Sequence, residues 1–143
     1  MREILFRAKL ADEDTWVEGS LVVWKGDTMI YTDRGFPHFM GNFLVEPETV
    51  GQFTGLTDKN GKKIFEGDIV KYPDTYLSWL GDVDVKGNVG AVEWDKATMC
   101  FYFSNRIAVE MEEFFVLNGC MTEVEVIGNI HDNPELIGGA DNG

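Results

Sequence analysis

Asp58-Lys59-Asn60-Gly61-Lys62-Lys63-Ile64-Phe65-Glu66-Gly67-Asp68-Ile69-Val70-Lys71-Tyr72 carries the strongest backbone signals in the chain. Asn-Gly is the residue pair that tolerates positive φ at both central positions of a type I′ turn, so Asn60-Gly61 predicts a hairpin. Gly67-Asp68 then predicts a tight turn feeding a buried β-branched strand, Ile69-Val70. Segments of this kind often open a small β-barrel.

The same alternation of short strands and turns continues on both sides. Toward the N-terminus, Arg2 to Lys9 alternates, with Ile4, Phe6 and Ala8 on one face and Leu5, Arg7 and Lys9 on the other. Asp12-Glu13-Asp14 breaks the pattern. Thr15 to Trp24 reads as a second strand with Gly19 as a bulge, Lys25-Gly26-Asp27 as a hairpin turn, and Thr28 to Thr32 as a third strand. Asp33 to Asn42 reads as a loop and Phe43 to Val45 as a short strand. Pro47 suits the first position of a helical turn with Glu48 in it. Gly51 to Leu56 is extended.

Toward the C-terminus, Pro73 to Leu80 reads as a loop, and Asp82 to Val85, Ala91 to Trp94 and Met99 to Phe103 as strands. Val109 to Phe115 fits a short helix or a strand. Asn118-Gly119 predicts a second hairpin. Glu123 to Ile127 alternates cleanly, with Val124 and Val126 inward and the glutamates outward. Asn133 predicts a cap with Pro134 opening one helical turn. This spacing predicts a mainly β protein (β-rich α+β at most), a sandwich or barrel without βα repeats. A composition shift at Glu46-Pro47 divides it into an N-terminal β subdomain over 1–46 and a second subdomain over 47–138, with a frayed tail at 139–143.

Charge and composition exclude several function classes. The 143 residues include 25 acidic and 12 basic side chains, a formal charge of −13. Phosphate binding needs clustered Lys and Arg, whereas the longest basic pair here is Lys62-Lys63. Direct nucleic-acid binding and anionic membrane surfaces are therefore not expected. No apolar run approaches the ~18–20 residues of a membrane helix. Charges interrupt Met1-Arg2-Glu3-Ile4-Leu5-Phe6-Arg7 before an export signal forms, which predicts a cytoplasmic location. Cys100 and Cys120 are then expected to be reduced and buried.

Candidate chemistry is sparse. Asp82, Asp84, Gly87 and Glu93 fall at positions 1, 3, 6 and 12 of a calcium loop, with Val89 at position 8. Lys86 occupies position 5, where an oxygen ligand is needed, and the flanks read as strands, so a plain hairpin is expected. Cys100, Cys120, His38 and His131 lack zinc-ligand spacing. His131 beside Asp132 reads as a structural histidine. The pairs Glu112-Glu113 and Glu123-Glu125 read as a solvated face. Gly87 to Gly90 lacks the lysine of a phosphate loop. Trp16, Trp24, Trp79 and Trp94 could line a groove, but in small barrels aromatics chiefly build the core; Trp79 is the one expected to meet a partner. No catalytic, cofactor-binding or metal-ligating residue is assigned.

Three blocks of the chain resemble the YopX-like proteins: Arg2 to Ala8, Thr49 to Val70 and Val126 to Leu136. These proteins are encoded by phages and prophages of bacteria. The resemblance implies an N-terminal β subdomain, a C-terminal barrel like an SH3 domain, assembly into homo-oligomers and no established activity. Tyr72 to Cys120 matches none of the blocks.

The expected function is that of a phage or prophage accessory protein, not an enzyme, working without a cofactor through contacts with itself and with a host or phage protein. Self-association through the N-terminal strands would cover open strand edges. One alternative is an acidic nucleic-acid mimic that inhibits a host DNA-binding protein, which requires ordered rows of carboxylates. Another is an enzyme acting on a small metabolite or nucleotide, which requires a concave pocket with convergent polar groups.

Overall fold

The computed structural model describes residues 3–33, 40–72, 88–97, 99–103, 116–117, 120–121 and 124–137. The protein is mainly β, and among the described residues the helical pieces are two single 3₁₀ turns, Pro47–Thr49 and Pro134–Ile137. Packing divides the chain into two units, Met1–Phe53 and Thr54–Gly143. The division lies beyond Glu46-Pro47 because β5, Gly51–Thr57, begins as a partner of β1. Its first residues therefore stay with the N-terminal unit.

In the first unit, β1 (Phe6–Lys9), β2 (Trp16–Trp24), β3 (Asp27–Asp33) and β4 (Met40–Leu44) form an antiparallel meander, and β5 pairs with the free side of β1. The strand β4 begins at Met40, inside the stretch that reads as loop. The β2–β3 hairpin turns at Lys25 (φ 52) and Gly26 (φ 88), the two positive values that a type I′ turn demands. A bridge between Leu10 and Val45 brings the end of β4 back to the end of β1. The meander thus curls around Ala8, Leu10, Val17, Ile30 and Val45, with Phe6, Leu21 and Phe43 packed against them. Ile4, expected on this inner face, is exposed, because regular pairing starts only at Phe6.

Gly19 is not a bulge. Its register with Phe6 is unbroken, and a Cβ there would lie 2.3 Å from the Tyr31 carbonyl oxygen. Glycine is needed for the close approach of β3. The bulge lies instead in the second unit, between Val126 and Gly128.

In the second unit, β12 (Glu125–Asn129), β7 (Asp68–Tyr72), β8 (Asn88–Asp95) and β9 (Cys100–Phe103) form an antiparallel sheet in that order. The short strand β6 (Lys63–Phe65) pairs with β5. Val116–Leu117 (β10) and Cys120–Met121 (β11) pair antiparallel, as the Asn118-Gly119 signal predicts, although residues 118 and 119 lie outside the described residues. Ile64, Val70, Val92, Val124 and Val126 make the core, joined by Leu56 and Phe101.

The turn at Asn60-Gly61 differs from the predicted type. Only Gly61 has positive φ, at 83°. The Gly61 amide donates to the Asp58 carbonyl (2.9 Å) and the Asp58 amide to the Lys62 carbonyl (2.8 Å). This is a three-residue hairpin loop, a type I turn followed by a left-handed glycine. The buried Asp58 carboxylate selects it. Its Oδ1 accepts from the Asn60 and Lys62 amides, each at 2.9 Å, and its Oδ2 from the Val126 amide, also at 2.9 Å. Asp68 acts similarly at the next turn, accepting from the Phe65 amide at 2.7 Å beside Gly67 (φ 93). Asn133 does not cap in the expected way, since its Oδ1 accepts from the Asn129 amide at 3.2 Å.

Candidate interaction surface

The sequence Leu21-Val22-Val23-Trp24 places apolar residues on both faces of β2. Strands of that kind are ordinarily covered on both sides. Here Leu21 faces the curled interior. Val22 and Trp24 therefore face outward. Directly opposed residues of an antiparallel pair share a face, so the register builds the outer surface row by row. Val22, Met29 and Leu44 form one row across β2, β3 and β4; Ser20, Tyr31 and Asn42 form the next; Trp24 and Asp27 form a third at the hairpin end. Trp24 is 64% exposed, Leu44 52% and Tyr31 42%. At the other end of the same face Trp16 is held under the Arg7 guanidinium at 4.8 Å and the Lys9 ammonium at 5.7 Å, close enough for cation–π attraction.

The hairpin end is exposed on both sides, since Val23, on the inner face, is 65% exposed. The strand β1 begins at Phe6, opposite Gly19, so the far half of β2 extends past it with β3 as its one neighbour among the described residues. Sequence patterning located this strand but not its uncovered face. The available signal was the unbroken apolar run from Leu21 to Trp24.

The tryptophans expected in the core are placed differently. Trp16 is half-buried beneath its cations and Trp24 is exposed. Trp94 is 38% exposed at the end of β8 and meets Phe101 edge to face at 4.9 Å. It belongs to the core face but sits where the β8–β9 hairpin leaves the core. Trp79 lies outside the described residues.

A depression of about 360 Å³ is lined by Lys9 to Asp14 and Glu46. Its carboxylates are not gathered around a vacant centre, because the Lys9 ammonium lies 2.8 Å from Asp14 Oδ1. Among the described residues no group of three or more His, Cys, Asp and Glu could hold a metal ion. Glu93 and Val89 of the calcium-loop match lie on β8, in register with β9 and β7 respectively, while Asp82, Asp84, Lys86 and Gly87 lie outside the described residues. Half of that match is therefore continuous strand. Cys100 is half-buried. The Cys120 side chain, His38 and the Glu112-Glu113 pair lie outside the described residues, as does Glu123. His131 sits in the turn after β12, where its amide and that of Asp132 both donate to Asn129 Oδ1, at 3.0 and 2.9 Å. Among the described residues no helix is long and apolar enough to cross a membrane.

A search of curated proteins gives no match. Among solved structures, the crystal structure of protein EF1440 from Enterococcus faecalis is similar, with a TM-score of 0.59 and 22% identity, covering 96% of this chain and 99% of that one. At that identity the likeness speaks for the fold. The YopX protein family matches residues 5–138, which takes in most of both units and every strand of the described residues. The chain belongs to the YopX family.

Proposed function

We propose that this chain is a phage or prophage accessory protein that works without catalysis, in the bacterial cytoplasm, through contacts with copies of itself and with a host or phage protein. The observation that carries the reading is the outer face of β2–β4, where Trp24, Tyr31 and Leu44, one on each strand, stand in solvent, and β2 is patterned for cover on both sides. The interiors support it as well. In each unit the buried residues are chiefly aliphatic, and in the second unit Asp58 and Asp68 are occupied with backbone amides. We read the second unit as an SH3-like small barrel, on the ground that its short antiparallel strands wrap one aliphatic core.

Two measurements test this reading. Light scattering of the purified chain at micromolar concentration is expected to give a multiple of the 16.1 kDa chain mass; a strict monomer would remove self-association. Thermal unfolding in the presence of a panel of nucleotides is expected to show no saturable rise in Tm. A sub-millimolar nucleotide that raised Tm would favour an enzyme instead.

A further inference from the structure

We infer that Asn60-Gly61 is a site of spontaneous covalent modification, deamidation through a succinimide, and that the turn built on Asp58 holds that chemistry in check. The reaction needs an asparagine side-chain amide, a following backbone nitrogen that no side chain crowds, and access for base and water. Asn60 and Gly61 are both exposed, and the place a Gly61 Cβ would take has no atom within 4 Å. Lys62 and Lys63 follow directly, a basic pair in a chain of net charge −13. Neighbouring cations favour the anionic nitrogen that must form. Hydroxide removes the Gly61 amide proton. The nitrogen attacks Asn60 Cγ, the new N–C bond closes a succinimide, and the side-chain nitrogen leaves as ammonia. Water then opens the ring. Attack at Cγ leaves an aspartate at position 60, whereas attack at the backbone carbonyl carbon leaves Gly61 joined through Cγ, an isoaspartate. Water enters, ammonia leaves, and no oxidation state changes.

The native turn opposes the first step twice. The nitrogen that must attack is engaged, because the Gly61 amide donates to the Asp58 carbonyl at 2.9 Å. The torsion is also wrong. Asn60 fills the second central position of the type I turn, where ψ lies near 0°, whereas ring closure needs Cβ and the next nitrogen eclipsed across the Cα–C bond, roughly a third of a rotation away. The Asp58 carboxylate locks that torsion. Its Oδ1 accepts from the amides on both sides of the rotation, Asn60 and Lys62, each at 2.9 Å. Its Oδ2 is anchored on the buried Val126 amide. The product bears on the fold as well. Isoaspartate adds a methylene to the main chain inside a three-residue loop, so the two loop amides no longer converge on Oδ1. Modification of an exposed turn thereby loosens a tie that reaches 68 residues along the chain.

The test is peptide mass spectrometry of the full chain held in mildly alkaline buffer at physiological temperature, both native and in urea, with aspartate and isoaspartate products separated by chromatography. Urea abolishes the turn and gives the unopposed rate, and Asn118-Gly119 is the same dipeptide in the same chain. In urea Asn60 is expected to convert at a rate comparable to Asn118, with isoaspartate among the products. In the native chain it is expected to convert at least about tenfold more slowly, since each hydrogen bond that must open lowers the reactive population several-fold. Asp58→Ala, checked as folded by circular dichroism, is expected to raise the native rate about tenfold. Asp58→Asn, which keeps Oδ1, raises it less and takes the place of an alanine variant that does not fold. No conversion of Asn60 in urea overturns the site. Native conversion as fast as in urea, a comparison that needs no variant, overturns the protection. A folded Asp58 variant with the wild-type rate overturns the part given to the carboxylate.

Discussion

Replacing Asp58 by alanine removes a fully buried carboxylate on which three backbone amides converge, those of Asn60, Lys62 and Val126. The Val126 bond is buried and joins residues 68 positions apart in sequence. Without it a buried N–H loses a charge-assisted partner, at a cost of about 1.5–3 kcal/mol. The two loop amides sit at exposed residues, where water can replace the carboxylate, at about 0.5–1 kcal/mol each. Asp58→Ala is therefore expected to cost about 2.5–5 kcal/mol, a large part of the ~5–15 kcal/mol that holds a typical domain. Asp58→Asn keeps Oδ1 for the loop but turns an NH₂ toward the Val126 amide, so its cost is about 1–3 kcal/mol. In urea, with a slope of about 2 kcal/mol per M, the alanine variant shifts the midpoint of the second unit down by about 2 M. Hydrogen exchange of the Val126 amide localises the loss. An alanine variant within about 1 kcal/mol of wild type, or an asparagine variant that costs as much as alanine, would refute this account of the turn.

Other substitutions test the backbone. Met99 holds φ 58° at the β8–β9 turn with its side chain 68% exposed; Met99→Gly is expected to raise stability by about 1 kcal/mol, read as a higher urea midpoint. Gly19→Ala drives a methyl to 2.3 Å from the Tyr31 carbonyl oxygen, which is backbone and has little room to give. It is expected to lower the melting temperature of the first unit by an amount corresponding to about 2–3 kcal/mol. Gly128→Ala meets Asn133 Oδ1 at 2.6 Å, a side chain able to swing away, so its cost should be smaller, about 1 kcal/mol, with loss of exchange protection at the Asn129 amide.

Much of the architecture was legible because it depends on period-two patterning and turn residues. Val124 and Val126 lie inward as alternation requires, and Lys25-Gly26 turns β2 into β3 with the two positive φ values a type I′ loop needs. The exceptions share a physical origin. The Asn60-Gly61 turn departs from the dipeptide rule because its type is set by a distant tie, Asp58 to Val126, which a local rule does not contain. Gly19 read as a bulge because a strand glycine signals either a bulge or a close approach, and only the position of Tyr31 distinguishes them. Trp24 read as core because hydrophobicity predicts burial without saying who provides the cover. The candidate surface was thus written in the run Leu21 to Trp24, but its exposure required knowing where β1 begins.

The most direct test of a protein that works through its N-terminal outer face is hydroxyl-radical footprinting of the wild-type chain as its concentration rises. Labelling of Trp24, Tyr31 and Leu44 is predicted to fall together, while Met99 and Trp94 in the other unit keep theirs. Labelling of Trp24 and Leu44 that stayed constant with concentration, or a fall shared equally by Met99, would contradict it.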